Sequence, residues 1–452
     1  MRPGGRSPRN DGASRRLRAL RLLRTTCAAS TLAGLALVVL SPAADLGSLG
    51  DQDERFASAV ADHVDRGVDD DTGARVLAAK DGVAQVPPMG WNGFNHYGRD
   101  VTASIVAAQA RVLVSSGMKA AGYDYVNLDG GWDLLERDPD GQLQPDTSKF
   151  PDGIPSIAAY VHSLGLKFGI YTSIGRTNCA RTAAGSYGNY RRDAATFASW
   201  GVDFVKVDWC NVPMAEFPGM TEEQVAESLY GRFAHALAVA GRPMLYSLST
   251  NGAELAAWRW APRLGNMWRT NRDLEDRHHS MVANFVSNAP HYRAAGPGGW
   301  NDPDMLQVGN GGMTWREDRA EFSLWAEMAA PLLAGNDLTS MSAVTRTTLT
   351  NRAVIAVDQD RLGRQGHVVA HAHGHWVLTK PLSNGARAVV LFNQTDQPAV
   401  LTTTARRVGL RDADAYRETN LWRHTTRRIA GTIVARLAPR AAAMFLVTRL
   451  TG

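Results

Sequence analysis

The chain contains 452 residues, of which 44% are hydrophobic and 21% are charged, a composition typical of a globular protein. This length can supply a large hydrophobic core and is enough for two domains. The formal net charge of +5 is misleading, because residues 1–24 contain eight arginines and one aspartate and so contribute +7. The rest of the chain carries −2, the difference between these two values, and gives no indication of a nucleic-acid or acidic partner.

The N-terminal segment has the features of an export signal. Basic residues 1–24 precede an uncharged stretch, residues 25–44, that ends in small residues, and this order predicts a secretory signal peptide over residues 1–44. An uncleaved membrane anchor is the alternative, although the strongly apolar part, about 14–16 residues long, is short for a membrane span. Residues 45–74 are acidic and lack apolar periodicity, so we interpret them as a linker. We expect the mature protein to be secreted, without stable membrane association.

Eight apolar, strand-like runs follow, and helical stretches separate them. The runs occupy residues 86–92, 123–132, 166–173, 204–210, 242–249, 265–270, 298–306 and 331–338. Three intervening stretches stop at a glycine, namely Gly117, Gly165 and Gly201, which is where a helix commonly ends. Eight strand–helix units of this length predict an α/β fold, a (β/α)₈ TIM barrel, over residues 75–365.

The pattern changes in residues 366–452. Short apolar runs such as ARAVVLFNQ and GTIVARLA alternate with turns, which predicts a small antiparallel β-sandwich domain. In this domain His371, His373 and His375 alternate along one predicted strand and would share one of its faces. They indicate either a metal site or a solvated edge strand, and we favour the edge strand.

Polar and aromatic side chains cluster where the predicted barrel strands end, which is where barrel enzymes hold their catalytic residues. The fourth run, FVKVDWC, delivers Lys206 and Asp208 after apolar residues, and a nearby cation favours the ionised carboxylate that can act as a nucleophile. Other runs end in Trp91, Asn92, Asp129, Tyr171, Arg269, Asp273, Trp300, Asp302 and Asp304. Each residue alone could be structural. Together, carboxylates and aromatic rings without a glycine-rich phosphate loop indicate glycoside hydrolysis.

Several motifs resemble those of a known enzyme family. PPMGWN, GIYTSIG, FVKVDWC, GNMWRT and above all GGWNDPDMLQVGNGGMTWRED are similar to motifs of the α-galactosidase (melibiase) group of glycoside hydrolase family 27. The resemblance is dense over residues 75–366 and loose in the C-terminal domain. It implies a TIM barrel followed by an antiparallel β domain, and a retaining mechanism through a covalent glycosyl–enzyme. It also implies that no metal or organic cofactor is needed.

The resemblance implies roles for individual residues. Asp208 matches the nucleophile, and Asp273 matches the general acid/base. Cys179 and Cys210, the two cysteines outside the signal segment, match a disulfide beside the sugar site; two unpaired thiols are the alternative. Substrate contacts are expected from Trp91, Asp129, Tyr171, Cys179, Lys206, Arg269 and Asp304.

Four positions near the −1 sugar depart from the family's pattern. Gly130 replaces a second sugar-binding aspartate, Thr250 and Asn251 replace the usual Glu-Trp, and Phe94 replaces a tryptophan. We expect an exported retaining α-galactosidase that acts on an oligo- or polysaccharide. An α-glucoside, isomalto-oligosaccharide or β-L-arabinopyranoside hydrolase on the same scaffold is the alternative. A silent sugar-binding protein is the remote alternative, and the retained catalytic pair argues against it.

Overall fold

The computed structural model describes residues 82–250 and 252–450. The predicted signal peptide (1–44), the predicted linker (45–74) and Asn251 lie outside the described residues. Across the described ranges, no helix is both long and apolar enough to cross a membrane.

Eight parallel strands form a closed barrel, which confirms the predicted fold. Their bounds are β1 Met89–Asn92, β2 Tyr125–Leu128, β3 Lys167–Ser173, β4 Phe204–Asp208, β5 Leu245–Ser249, β6 Met267–Arg269, β7 Trp300–Asp302 and β8 Leu332–Ala334. The strands follow the order β7-β6-β5-β4-β3-β2-β1-β8. The segment after β7 closes the ring, because Leu306 forms a parallel bridge with Ala334 of β8.

The barrel interior explains why the polar residues gather at one end. Buried hydrophobic side chains near the strand starts pack together, among them Tyr125, Phe204, Leu245, Met267 and Leu333. Alternate residues of a strand point to the same side, so the side chains two and four residues after Phe204 also face inward. Since the apolar residues occupy the start of the strands, the polar ones lie at the C-terminal mouth.

Helices cover the outside of the barrel. The α-helices are α1 Phe94–Tyr97, α2 Ala103–Ser115, α3 Met118–Ala121, α4 Gly153–Ser163, α5 Tyr190–Ser199, α6 Glu222–Ala238, α7 His278–Asn288, α8 Trp315–Glu327, α9 Ala343–Leu349 and α10 Arg352–Asp358. Short 3₁₀ segments span Met214–Glu216, Ala257–Arg259, Ala261–Arg263, Ala289–His291 and Leu338–Ser340. Thr221 and Thr314 form capping boxes that satisfy the first backbone N–H groups of α6 and α8. Gly165 and Gly201 follow α4 and α5 with φ of 67° and 78°, which confirms the predicted helix stops.

The C-terminal domain consists of eight antiparallel strands in two sheets. Their bounds are β9 His367–Ala372, β10 His375–Pro381, β11 Arg387–Asn393, β12 Ala399–Thr404, β13 Tyr416–Asn420, β14 Thr425–Ile429, β15 Thr432–Leu437 and β16 Ala441–Arg449. Six strands form one sheet in the order β14-β13-β16-β11-β10-β9, and β12 pairs with β15 in the other. Buried residues of both sheets, such as Val389, Leu401 and Ile433, form a separate hydrophobic core.

Two details of this domain differ from the sequence expectations. The predicted strand through the three histidines is a hairpin, because His373 and Gly374 form its turn with φ of 50° and 74°. His371 and His375 therefore lie on neighbouring strands, and β9 is the edge of its sheet. Strands β13 and β14 were not predicted, since their sequences YRETN and TTRRI are mostly polar and partly exposed.

Side chains of the β domain insert between helices of the barrel. Lys380 of β10 is 1% exposed, and its ammonium donates to the carbonyl oxygens of Ala326 (3.2 Å) and Asp358 (3.3 Å). Trp422, after β13, donates from its indole to the Ser323 hydroxyl on α8 at 2.9 Å. These buried polar contacts join the two parts of the chain at α8 and α10.

Candidate active site

Asp208 ends β4 at the mouth of the barrel. It pairs in register with Ser173 of β3 and Ser249 of β5, and only 9% of its surface is exposed. Lys206 lies on the same face of the strand, and its Nζ is 3.7 Å from Asp208 Oδ1. The predicted nucleophile is therefore a buried carboxylate with a cation beside it.

Asp129, which directly follows β2, holds Lys206 from the other side. Its Oδ2 accepts hydrogen bonds from Lys206 Nζ at 3.0 Å and from Asn92 Nδ2 at 2.7 Å. Its Oδ1 accepts from the backbone N–H of Gly130 at 2.8 Å. Because both oxygens are engaged, the Asp129 carboxylate is fixed in place and Lys206 lies between two carboxylates.

The electrostatics of this cluster leave Asp208 incompletely neutralised. Burial raises the pKa of Asp208; the Lys206 ammonium opposes this increase, and the Asp129 charge adds to it. Burial alone would lower the pKa of Lys206, but the charges of Asp129 and Asp208 outweigh burial and raise it. Asp208 Oδ1 is also buried, and none of the described residues donates to it at close range. A poorly solvated carboxylate of this kind can act as a nucleophile.

A second ionic cluster lies at the ends of β6 and β7. Arg269 is 1% exposed; its Nη2 donates to Asp273 Oδ1 at 3.0 Å and forms an ion pair with Asp304 Oδ2 at 3.1 Å. Asp273 contributes to the raised pKa values of both Lys206 and Asp208. The two clusters are therefore within electrostatic reach of each other at the same barrel mouth.

Asp273 and Asp208 are in contrasting environments. The Asp273 side chain is 79% exposed, on a loop after β6, whereas Asp208 is buried. The Arg269 guanidinium lowers the pKa of Asp273, against a smaller opposing effect of desolvation. The predicted acid/base is thus accessible from solvent, and Arg269 favours its carboxylate form.

Asp304 adopts a backbone conformation that few non-glycine residues take. Its φ is 87°, and its side chain and backbone are held by several hydrogen bonds. Oδ2 accepts from Leu274 N–H at 2.8 Å, Oδ1 accepts from Met305 N–H at 2.8 Å, and the carbonyl accepts from the Trp325 indole at 2.8 Å. Asp302 accepts from Asp304 N–H at 2.8 Å, and burial raises the pKa of Asp302 to about 6 against the effect of Arg269. Such local strain is commonly found at functional sites.

Cys179 and Cys210 form a disulfide, as the resemblance implied, with Cα atoms 4.9 Å apart. It joins the loop after β3 to the end of β4, and Cys179 Sγ lies 3.9 Å from Asp208 Oδ2. These two sulfurs and Asp208 make the single group of three potential metal ligands among the described residues. Sulfurs joined in a disulfide are not the thiolates that bind metals. The β-domain histidines bring no such group together in the described ranges.

The aromatic residues of the site divide into exposed and buried ones. Phe94 is 37% exposed, and its ring centroid lies 5.9 Å from Lys206 Nζ. The Tyr171 ring, 5.4 Å from the same atom, is almost fully buried. Trp91 was expected to contact substrate, but it is fully buried and donates from its indole to the Asn336 carbonyl at 2.8 Å. Phe94 therefore presents an exposed ring at the mouth, whereas Trp91 packs in the core against Tyr97.

The positions that depart from the family's pattern lie around the same mouth. A Cβ added at Gly130 would lie 3.3 Å from Tyr171 Cε1, so a side chain there requires the buried Tyr171 ring to shift slightly. Gly131 is different, because its φ is 107° and a Cβ would lie 2.7 Å from backbone atoms of Arg99. Thr250 is buried and its hydroxyl donates to the Gly252 carbonyl at 3.2 Å. Asn251 lies outside the described residues.

Two polar residues of the site, Asn284 and Gln307, were not singled out from the sequence, whereas Ser249 was noted as part of the departure from the family's pattern after β5. Ser249 lies beside Asp208 across the sheet, and its buried hydroxyl lowers the pKa of that carboxyl. Asn284 and Gln307 are buried and contact the loop that carries Asp273. The end of β5 was a sequence signal for Ser249. The two amides have no local signal, since they reach the loop only through the tertiary fold.

Comparisons with known proteins agree with this fold and site. A family model described as "Alpha galactosidase A" matches residues 87–360, and one described as "Alpha galactosidase C-terminal beta sandwich domain" matches residues 372–447. An α-galactosidase of Cyamopsis tetragonoloba is 40% identical over 423 residues, which are 93% of this chain and 98% of that protein.

Two solved structures extend the comparison. The crystal structure of α-galactosidase I from Mortierella vinacea is 30% identical with a TM-score of 0.76, covering 81% of this chain and 98% of that one. A family 27 β-L-arabinopyranosidase from Geobacillus stearothermophilus, in complex with arabinose, is 26% identical with a TM-score of 0.72, covering the same shares. The chain therefore belongs to the α-galactosidase (melibiase) group of glycoside hydrolase family 27, and it is a glycoside hydrolase.

Proposed function

We propose that the protein is an exported retaining α-galactosidase that removes terminal α-galactosyl groups from oligo- or polysaccharides. The main support is the pair of carboxylates at the barrel mouth: Asp208, buried beside Lys206, and Asp273, exposed beside Arg269. Retaining glycosidases need two carboxyl groups with these different roles. Relatives named α-galactosidases at about 40% identity support galactose as the sugar.

In the first step, an Asp208 oxygen attacks the anomeric carbon and forms the glycosyl ester. The bond from that carbon to the leaving-group oxygen breaks, its electron pair goes to the oxygen, and Asp273 donates the proton that neutralises it. Lys206 and Asp129 hold Asp208 and the sugar hydroxyl groups in place. The Phe94 ring offers an apolar face to the sugar.

In the second step, Asp273 removes a proton from water, the water oxygen bonds to the anomeric carbon, and Asp208 leaves as a carboxylate. The charges of Asp208 and Asp273 disfavour each other. Esterification of Asp208 removes its charge and so lowers the pKa of Asp273. Arg269 already favours the carboxylate form of Asp273, so Asp273 must acquire the proton for the first step as substrate binds, and esterification then favours the base form that the second step needs.

The test uses the variant Asp208→Gly with azide and an aryl α-galactoside. We expect no turnover without azide, and with azide a glycosyl azide of inverted anomeric configuration, because azide takes the place of the missing carboxylate. For the wild type, NMR of the first product should show α-galactose. A first-formed β-galactose, or near-normal activity of Asp208→Gly without azide, would contradict the retaining mechanism.

A non-galactose glycoside is the second candidate substrate, and Gly130 is the observation that favours it. The family's second sugar-binding aspartate is missing there, and the space beside the Tyr171 ring holds no side chain from that position. The related Geobacillus enzyme is named a β-L-arabinopyranosidase, so the scaffold accommodates a different sugar in that protein. Assays on p-nitrophenyl α-galactoside, α-glucoside, α-N-acetylgalactosaminide and β-L-arabinopyranoside decide between the candidates.

Export rests on the first 44 residues, with their basic start and uncharged apolar stretch. We expect the secreted protein to begin close to residue 45. N-terminal sequencing of protein from the culture medium checks this. Protein found only in the membrane fraction, with its first residues intact, would indicate the uncleaved anchor instead.

A further inference from the structure

The loop that carries Asp273 is irregular in backbone, yet buried side chains hold the residues on both sides of Asp273. The loop runs from the end of β6 to the start of α7, and the Asp273 side chain is largely exposed. An exposed side chain on such a loop would ordinarily sample many positions. A general acid must instead stay within hydrogen-bond reach of the glycosidic oxygen.

Asn284, on α7, holds the residues before Asp273. It is 2% exposed, and its Nδ2 donates to the carbonyl oxygens of Arg272 at 3.0 Å and Pro303 at 2.8 Å. Its Oδ1 accepts from the Asn271 side chain at 2.8 Å. The oxygen and the NH₂ group of this amide are therefore both used. Their hydrogen bonds join the loop after β6 to the loop after β7.

Gln307, after β7, holds the residue that follows Asp273. It is 2% exposed, and its Nε2 donates to the Leu274 carbonyl at 2.7 Å. The Leu274 N–H donates to Asp304 at 2.8 Å, so both backbone polar groups of Leu274 are engaged. Gln307 is itself fixed, because its backbone N–H donates to the fully buried Glu321 carboxylate at 3.0 Å and 3.1 Å.

We propose that Asn284 and Gln307 are positioning residues for Asp273, which fix the backbone carbonyls of the residues before and after it so that an exposed carboxyl stays aimed at the leaving-group oxygen. The proposal rests on the proposed function, since it needs Asp273 to be the acid/base. Neither amide touches the reacting atoms; each acts through the loop backbone. A displacement of about 1 Å at such a site can lower the rate by roughly 100-fold.

The experiment compares two substrates in Asn284→Ala and Gln307→Leu. One is an alkyl α-galactoside, whose leaving group needs a proton, and the other is a dinitrophenyl α-galactoside, whose leaving group does not. We expect kcat/KM for the alkyl substrate to fall roughly 10- to 100-fold, and kcat/KM for the aryl substrate to change less than about threefold. On the aryl substrate the second step, which also needs Asp273, becomes slower than the first. We therefore expect kcat and KM to fall by similar factors, and a burst of released aryl product to precede the steady state.

Asn266→Ala is the matched control. Asn266 is a buried amide that also joins two backbone segments, accepting from Tyr246 N–H at 2.9 Å and donating to the Gly298 carbonyl at 3.0 Å, but at the opposite end of the barrel. Asn266→Ala should lower the melting temperature as the other variants do. Any change in kcat/KM should be the same for the two substrates. Gln307→Leu keeps the proposal testable if Asn284→Ala does not fold.

Three outcomes decide the matter. A loss that is equal for both substrates, or a leaving-group effect of the same size in Asn266→Ala, would overturn the positioning role. A selective loss on the alkyl substrate in both loop variants supports it. Asp273→Ala is assayed alongside: if this variant lacks a leaving-group effect, the acid/base assignment itself fails, and with it the proposed mechanism.

Discussion

Gly130 follows Asp129 at the end of β2, where a second carboxylate would lie beside the Tyr171 ring. Galactose and glucose differ in the orientation of one hydroxyl, at C4. A buried carboxylate that binds one orientation rejects the other, because the carboxylate then loses its hydrogen bond. With glycine at this position, that selection is weakened, and the choice of sugar depends on the neighbouring groups.

The variant Gly130→Asp tests this reasoning. We expect the ratio of kcat/KM for matched α-galactoside and α-glucoside substrates to move toward galactose by roughly tenfold or more, about the value of one good hydrogen bond. The backbone at Gly130 accepts a side chain once the Tyr171 ring gives way slightly. Gly130→Asn is the control, since it has the same volume without the charge. A wild type that already selects galactose, with a ratio that the aspartate leaves unmoved, would refute the hypothesis.

At the scale of elements, apolar runs were sufficient to predict the barrel but not the whole β domain. A barrel strand is largely buried on both faces, so apolar residues predominate in it, as in β4, where Lys206 and Asp208 are the polar residues at the mouth. Strands β13 and β14 have exposed residues and no such run, and they are held mainly by pairing with β16 and with each other. The histidine-containing hairpin was not predicted, because its turn requires a positive φ at His373 and histidine is not a residue type that indicates one.

Prediction of the site from the sequence meets the same limit, because it depends on local motifs. The location of Asp208 and Asp273 at the barrel mouth could be predicted because motifs surround them, and the disulfide followed from the same resemblance. Trp91 was assigned to the sugar because it lies at a strand end, but its depth in the core depends on the packing of α1 over β1. Contacts from α7 to the Asp273 loop join residues of different elements, and no spacing along the chain specifies them.

The disulfide links two elements next to the nucleophile, so its removal should affect stability and catalysis together. Cys179 and Cys210 are 31 residues apart, and closing a loop of that size stabilises the folded state by about 3–4 kcal/mol. We expect the double variant Cys179→Ser/Cys210→Ser to lose about this much free energy of unfolding, measured with urea. We also expect kcat/KM to fall, since Cys179 borders Asp208.

A reductant provides the control for the disulfide prediction. Dithiothreitol should shift the urea midpoint of the wild type and leave that of the double variant unchanged. Alkylation of both thiols in the unreduced protein would show that the bond is absent in solution.

At the scale of the whole molecule, one lysine of the β domain faces two carboxylates of the barrel. Lys380 lies between Glu327, at the end of α8, and Asp358, at the end of α10, and it donates to carbonyl groups at both helix ends. A cation at the C-terminal end of a helix is favourable, and Lys380 provides this for two helices at once. Burial raises the pKa of Glu327 and of Asp358 to about 8, against the opposing charge of Lys380.

These raised pKa values make the stability of the protein depend on pH. Between the ordinary pKa of glutamate, 4.5, and about 8, the folded protein holds a proton on Glu327 that the unfolded chain has released. The contribution of Glu327 to the free energy of unfolding is therefore fully present below pH 4.5 and is lost as the pH rises through about 8. Asp358 acts in the same direction from its ordinary value of 3.8. We expect the melting temperature of the wild type to fall across this range.

Glu327→Gln isolates the contribution of one group. Glutamine is neutral at every pH and nearly the same size, so the variant should lose part of the pH dependence. Its melting temperature should match the wild type near pH 5 and exceed it above pH 8, because the wild type must then bury a carboxylate whose oxygens have no hydrogen-bond partner. Glu275→Gln, at a side chain that is 63% exposed, is the control and should leave the profile unchanged. Circular dichroism melts between pH 4.5 and 9 measure both variants, and parallel profiles for Glu327→Gln and the wild type would show that Glu327 keeps its ordinary pKa in the folded protein.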